Sequence, residues 1–370
     1  MKNYGVYIHI PFCRSRCDYC SFCTQTDYSL EQKYFAALRQ EIESYKPGAE
    51  LIADSVYFGG GTPASVDSGL IAATLDAVRK RFTMLSGSEI SIEANPGNID
   101  AGKARAFAAA GINRFSLGLQ SADDGTLKKI GRTHTCADFV RSVQEIRGAG
   151  ASNISADLML GLPGESAEDI GRSADLLIDL GVNHVSAYAL TVEEGTPMHR
   201  SGYRPDEDES ADQYDYLLEK LAASGYARYE VSNFALRGYE CRHNLKYWDL
   251  SPYAGFGVSA HGFDGSVRRA NTSDLQHYID GLGRPLTAQR VPQNELKEEY
   301  IMLGLRTAAG IDTHEYAAMF GKNFDSEFSS ALKKCSGSLE RDGNNIRLKQ
   351  NAFYIMNSVI VELLRCLPQI

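Results

Sequence analysis

The stretch Tyr4-Gly-Val-Tyr-Ile-His-Ile-Pro-Phe-Cys13-Arg-Ser-Arg-Cys17-Asp-Tyr-Cys20 decides how the rest of the chain is read. Residues Tyr4 to Ile10 are rich in β-branched and aromatic side chains and predict a strand. Three thiols then crowd one short loop just beyond it, and Cys23 follows. The other cysteines, Cys136, Cys241, Cys335 and Cys366, are scattered and read as small buried hydrophobes. Eight cysteines in 370 residues are too few for a disulfide scaffold, and the N-terminal segment has no apolar signal region. Both points predict a reducing, cytoplasmic setting, where clustered thiols mean metal. Structural zinc commonly takes two separated Cys-x-x-Cys pairs, and no second pair follows. Thiolates suit iron–sulfur clusters, and three of them on a four-iron cluster leave one iron open to a ligand from outside the protein. Cys23 as a fourth thiol keeps two alternatives in play, a closed electron-transfer cluster and a zinc knuckle.

Outward from this loop, strands alternate with helices. Ser55–Phe58, Glu89–Ala94, Arg114–Leu119, Ile154–Leu160 and His184–Leu190 read as strands. Helical patterns fill 64–81, 101–110, 137–149 and 167–180 between them. An earlier helix carries Tyr34, Leu38, Ile42 and Tyr45 on one face, starts at a capping box in Ser29-Leu-Glu-Gln32 and ends at Pro47. This order predicts an α/β fold, an incomplete parallel (β/α)6 barrel with its site at the C-terminal ends of the strands. Residues 1–235 form that core, 236–290 a connecting segment, and 291–370 a small, mainly helical C-terminal domain with a winged-helix flavour.

A net charge of −9, from 38 basic against 47 acidic residues, argues against a general nucleic-acid binder. No apolar run approaches the roughly 20 residues of a membrane span, which leaves only peripheral membrane contact open. Acidic Asp206-Glu-Asp-Glu209 reads as a helix start.

The chemistry-bearing motifs sit at predicted strand ends. Gly59-Gly-Gly-Thr-Pro63 follows the second strand, where glycines let backbone groups approach a ligand. Cys13, Cys17 and Cys20, at Cys-x3-Cys-x2-Cys spacing, together with this glycine run resemble the radical S-adenosylmethionine (SAM) superfamily. The Gly-Gly-Gly-Thr-Pro form is similar to the oxygen-independent coproporphyrinogen III oxidases and their haem-chaperone, HemW-type relatives. The resemblance implies a [4Fe-4S] cluster on the three cysteines, with SAM chelating the open iron. Reduction of such a cluster cleaves the sulfonium to a 5′-deoxyadenosyl radical. Tyr7 in the first strand and Gly60, Gly61 and Thr62 would lie at the SAM site, with Thr62 standing where many members carry Glu. By the same resemblance Glu93 and Arg132 lie near the methionyl charges and Gln120 and Asp157 near the ribose. Leu160–Pro163 and Ala187 would border the adenine.

Two departures separate the branches of that family. The oxidases carry a further Cys two residues after the third ligand, where this chain has Phe22, and a longer segment before the cysteines. The run His243-Asn-Leu-Lys-Tyr-Trp248 instead matches the haem-chaperone His-Asn-x-x-Tyr-Trp signature. An imidazole can bind haem iron, Tyr247 and Trp248 offer flat faces, and Arg242 and Lys246 suit propionates. His243 is therefore the expected haem ligand; His9 is expected near the cluster and His261 in a structural role. The implied function is a haem chaperone that hands haem to an acceptor protein and takes electrons from a flavodoxin or ferredoxin. The alternatives are oxidative decarboxylation of coproporphyrinogen III and a radical SAM reaction on another substrate.

Overall fold

The computed structural model describes residues 3–46, 51–281 and 287–368; the expected helix end at Pro47 lies outside them. The first half runs β1 (Tyr4–Ile10), α1 (Glu31–Ser44), β2 (Ile52–Gly60), α2 (Ser68–Arg81), β3 (Thr83–Ala94) and α3 (Ala101–Ala110). It continues with β4 (Arg114–Gln120), α4 (Asp124–Lys129), α5 (Cys136–Gly148), β5 (Asn153–Leu160), α6 (Ala167–Asp179) and β6 (His184–Ala189). β1 to β6 are parallel neighbours in chain order, and β1 does not pair with β6, so the (β/α)6 barrel is incomplete.

Strand alternation sorts the side chains. Val56, Phe58, Ile92, Phe115, Leu117, Ile154, Leu158 and Val185 face the helices and share one core with Leu38, Leu75, Phe107, Val143 and Leu177. The opposite face of the same strands is polar: Glu89, Ser91 and Glu93 on β3; Arg114, Ser116 and Gln120 on β4; Ser155 and Asp157 on β5; His184 and Ser186 on β6. Capping fixes where the helices begin. Thr135 and Ser166 open α5 and α6 with capping boxes. Ser29 does not: its hydroxyl donates to Asp27, and α1 starts without a side-chain cap. A short 3-10 turn at Pro63–Ser65 precedes α2, which Asp67 caps, so the helix starts later than expected.

Beyond β6 come α7 (Pro197–Arg200), α8 (Glu207–Ala223), β7 (Ala227–Arg228), β8 (Asn233–Ala235) and α9 (Arg242–Trp248). β9 (Tyr253–Phe256), β10 (His261–Phe263), β11 (Val267–Ala270), α10 (Leu275–Asp280) and β12 (Thr287–Arg290) follow. Residues 253–290 are thus no mere connection. β9 pairs parallel with β1 and β10 to β12 extend that edge, while β8 and β7 extend the β6 edge, giving a 12-stranded sheet. These strands are only two to four residues long, too short for a sequence period to show. Asp206 caps α8 as expected.

The C-terminal part contains α11 (Gln293–Gly304), β13 (Ile311–Asp312), α12 (Thr313–Phe320), α13 (Phe324–Glu327), α14 (Ser329–Lys334), β14 (Leu339–Asp342), β15 (Asn345–Leu348) and α15 (Met356–Leu364). Its helices pack a separate aromatic core of Tyr300, Tyr316, Phe320, Phe324 and Phe328 beside a three-stranded sheet. The helical stretch within 311–335 is broken because Gly321, at φ +66°, ends α12 and Asn323 caps α13.

Candidate functional site

One cavity of about 430 Å³ runs down the polar interior from the strand C-termini. Cys13, Cys17 and Cys20 line its mouth. Their loop is tied down by backbone bonds: Cys13 N–H donates to Gln25 O (2.9 Å), Asp18 N–H to Ile130 O (3.1 Å) and Met198 N–H to Asp18 O (3.0 Å). All eight cysteines are free. Among the described residues no three His, Cys, Asp or Glu side chains converge on one ion position. A four-iron cube takes each thiolate on a different iron, so its ligands ring a volume. Cys23 is not among the cavity's lining; its thiol faces the Ser273 carbonyl at 3.5 Å.

The glycine run curls beneath the thiols. Gly61 N–H donates to Ile10 O and Thr62 N–H to Phe12 O, both at 2.8 Å, and a Cβ on Gly61 would stand 2.8 Å from the Phe12 carbonyl. Gly60 holds φ +116°, where a side chain would also strike the His9 ring. Thr62 turns to the cluster loop, its Oγ1 lying 2.9 Å from Cys13 Sγ and accepting from Asn95 Nδ2 at 3.0 Å. The carboxylate under the run is Glu93. It accepts from Gly60 N–H (3.1 Å) and from the Tyr57 hydroxyl (2.9 Å).

Arg132 reaches in from the loop after α4, donating to Asn95 Oδ1 (2.8 Å), Gly118 O (2.5 Å) and Cys17 Sγ (3.5 Å). Gln120 sits at a register slip between β4 and β5 with φ 69°, a bulge that aims it into the cavity. Asp157, accepting from Ser116 Oγ at 3.3 Å, stands across from Glu93. Burial, reinforced by the charge of Asp157, pushes the Glu93 carboxyl up to about 7; burial raises Asp157 to about 6. The cavity therefore holds two buried acids whose charge a cationic ligand would stabilise.

Three expected site residues are elsewhere. Tyr7 lies behind the cavity wall, its ring stacked on Tyr57 and its hydroxyl 3.1 Å from His9 Nδ1. Alternation turns the Ala187 side chain into the helix-facing core, so Ser186 and Tyr188 face the cavity instead. Likewise Leu160 belongs to that core, and Met159 and Leu190 do the lining.

His243 is the larger correction. Its side chain is fully buried, Nδ1 is 3.1 Å from Ser55 Oγ, and Nε2 is 2.8 Å from the Tyr247 hydroxyl. Burial drops its pKa to about 3, which leaves a neutral ring with neither nitrogen open to an iron. Lys246 is paired with Asp54 (2.8 Å) and Asn3 O (2.9 Å), so it is no waiting propionate partner; exposed Arg242 gives one N–H to Gly87 O (2.5 Å). Buried Glu89 caps α9, accepting from Arg242 N–H and His243 N–H at 3.2 Å each. The helix seals the far end of the barrel, where Cys241 and Asn244 meet Arg114 and His184 of the cavity floor.

The lining residues that the motif reading omits include Tyr57, Asn95, Arg114, Ser116, Ser155 and Ser186. Their signal is in the sequence all the same. Glu89-Ile-Ser-Ile-Glu93 and Arg114-Phe-Ser-Leu-Gly-Leu-Gln120 alternate polar and apolar where strands covered on both faces would read as continuous apolar runs.

A partial (β/α)6 barrel with three free thiols at its mouth and a glycine cradle under them is the frame of a radical SAM protein. The Radical SAM superfamily profile matches residues 7–177, and the HemN C-terminal domain profile matches 291–355. The haem chaperone HemW of Bacillus subtilis (strain 168) is 36% identical over 344 residues, covering 89% of this chain and 90% of that protein. The haem chaperone HemW of Lactococcus lactis subsp. lactis (strain IL1403) is 32% identical, covering 98% of each. Coproporphyrinogen III oxidase HemN of Escherichia coli, a radical SAM enzyme, superposes with a TM-score of 0.85 at 19% identity, covering 99% of this chain and 91% of that one. The chain belongs to the HemW family of radical SAM proteins. Membership in the superfamily implies a [4Fe-4S] cluster and SAM, and the donor set at the cavity mouth fits both. Among the described residues no helix is long and apolar enough to cross a membrane.

Proposed function

We propose that this chain is a cytoplasmic haem chaperone that binds haem and delivers it to an acceptor protein, with a flavodoxin- or ferredoxin-type donor reducing its cluster. Cys13, Cys17 and Cys20 hold the cluster; Gly60, Gly61, Glu93, Gln120, Arg132 and Asp157 receive SAM. When bound, the cluster and SAM supply a one-electron reductive cleavage of the sulfonium. The chain's own residues keep water-exposed charge away from that chemistry. Glu93 offers a carboxylate to the SAM amino N–H groups, Arg132 a guanidinium to its carboxylate, and the buried walls hold both in a low dielectric.

The observation that carries the haem reading is the similarity, over 98% of its length, to a protein named as a haem chaperone. Phe22, where the oxidases have a further thiol, supports the same branch. With His243 sealed, haem docks at the rim. There Phe22 is 67% exposed, and exposed Arg16 shares the cavity rim with it. A flat macrocycle gains a stacking face from the aromatic ring and a cation for its propionates.

The test is anaerobic. Reconstituted protein given coproporphyrinogen III, SAM and a low-potential reductant should form no protoporphyrinogen, yet bind haem stoichiometrically and release it to an apo haem protein. Repeated turnover of coproporphyrinogen III would replace this reading with the decarboxylase one.

A further inference from the structure

The His-Asn-x-x-Tyr-Trp run, with no open ligand atom on His243, still reaches the SAM pocket by one continuous route. His243 on α9 stacks on Tyr57 of β2, ring centroids 5.3 Å apart and planes within 25°. Tyr7 stacks on the same ring at 6.3 Å and 20°. Tyr57 then donates its hydroxyl to Glu93 Oε1, and Glu93 Oε2 takes the Gly60 N–H. His243 is itself held from two sides, by Ser55 and by Tyr247. Gly5 makes room for it, since a Cβ there would stand 2.7 Å from the Lys246 side chain and 3.1 Å from the His243 ring.

From this we infer that His243 is a positioning residue for SAM: it fixes the Tyr57 ring, and thereby the carboxylate of Glu93 under the glycine run. The inference rests on Glu93 receiving the SAM amino group. A buried phenol free to tilt would still fill space, but its O–H would no longer point at Oε1. Glu93 would then keep only the Gly60 N–H against the repulsion of Asp157.

Binding separates this role from simple packing. SAM affinity of the anaerobically reconstituted full chain is measured by calorimetry for wild type, Tyr57→Phe, His243→Ala and the double variant, with iron and haem content and thermal midpoint alongside. Each single change should weaken SAM by about tenfold, and the double variant no more than the worse single one, because both cut one path. The pH midpoint of SAM binding should also move up in His243→Ala. Glu93 loses the hydroxyl that lowers its pKa, while the Gly60 N–H and Asp157 continue to face it.

Wild-type affinity in His243→Ala, or losses that multiply in the double variant, would overturn the inference. If His243→Ala does not fold, Tyr247→Phe removes only the hydroxyl on Nε2. It should weaken SAM at least twofold and show the same non-additivity with Tyr57→Phe; independence there overturns the proposal as well. A wild-type protein that binds no SAM would instead refute the cofactor assignment beneath it.

Discussion

The Cys13–Cys20 loop and the α9 helix are both short signature motifs, and they differ in what their donor atoms are doing. Around the loop the backbone is tied while the thiols face an open cavity. On α9 both nitrogens of His243, the Lys246 ammonium and the Arg242 guanidinium already have protein partners. The thiols keep a face open to the cavity, whereas both ring nitrogens of buried His243 are taken up, because a buried unpaired polar group costs about 1–3 kcal/mol. The residue types alone do not tell these apart.

The largest effect should come from breaking the open motif. Cys17→Ala should abolish the iron–sulfur absorbance of anaerobically reconstituted protein, with little change in the thermal midpoint of the metal-free chain. An unchanged spectrum would mean that the cluster sits elsewhere.

The sealed motif should respond in the opposite way. His243→Ala deletes a fully buried ring and leaves Ser55 and Tyr247 without their partner, so the metal-free protein should lose about 2–4 kcal/mol of stability. Denaturant unfolding measures that loss. Haem stoichiometry in the folded variant should stay at the wild-type value; loss of haem would return the axial-ligand role to His243.

Legibility in the sequence followed the same divide. All six parallel strands and most of their helices could be read, because their periods are long enough to count and Thr135, Ser166 and Asp206 mark helix starts. The cysteines, the glycine run, Glu93, Gln120, Arg132 and Asp157 were legible as motifs, and the fold brings them to one cavity. For Tyr7, Ala187 and His243 the direction of the side chain was not legible, because a motif names a residue without saying which way its side chain turns. Counting alternation outward from Glu93 on β3 and Asp157 on β5 would have put Ser91 and Ser155 inside with them. The edge strands β9 to β12 had no signal, since each is short and finds its partner only once β1 is in place.

Within the cavity the comparison sharpens through pH. Glu93 is raised to about 7 when no cation is near it. Amino N–H groups of bound SAM donate to the ionised carboxylate, so binding must lower that pKa and release a proton. Affinity should therefore rise as pH increases toward 7 and flatten above it, with a slope of up to about tenfold per pH unit below the midpoint. Asp157, at about 6, adds a weaker dependence lower down. Glu93→Gln should remove the upper step. A profile unchanged by that substitution would take the SAM amino group away from Glu93.

The smallest effect should lie at the rim, where the exposed face of Phe22 replaces the thiol of the oxidases. A solvent-exposed aromatic contributes through one stacked face only, worth roughly 0.5–1.5 kcal/mol. Phe22→Ala should accordingly weaken haem about 3- to 10-fold by Soret titration, without altering cluster content, since Phe22 meets the Cys20 thiol only through its backbone N–H, which the substitution keeps. Because the ring is exposed already, its loss opens no cavity and should leave the thermal midpoint in place. Haem binding indifferent to Phe22 would move the macrocycle off the rim. Cluster loss in the same variant would make Phe22 a shield for the iron–sulfur site, not a haem contact.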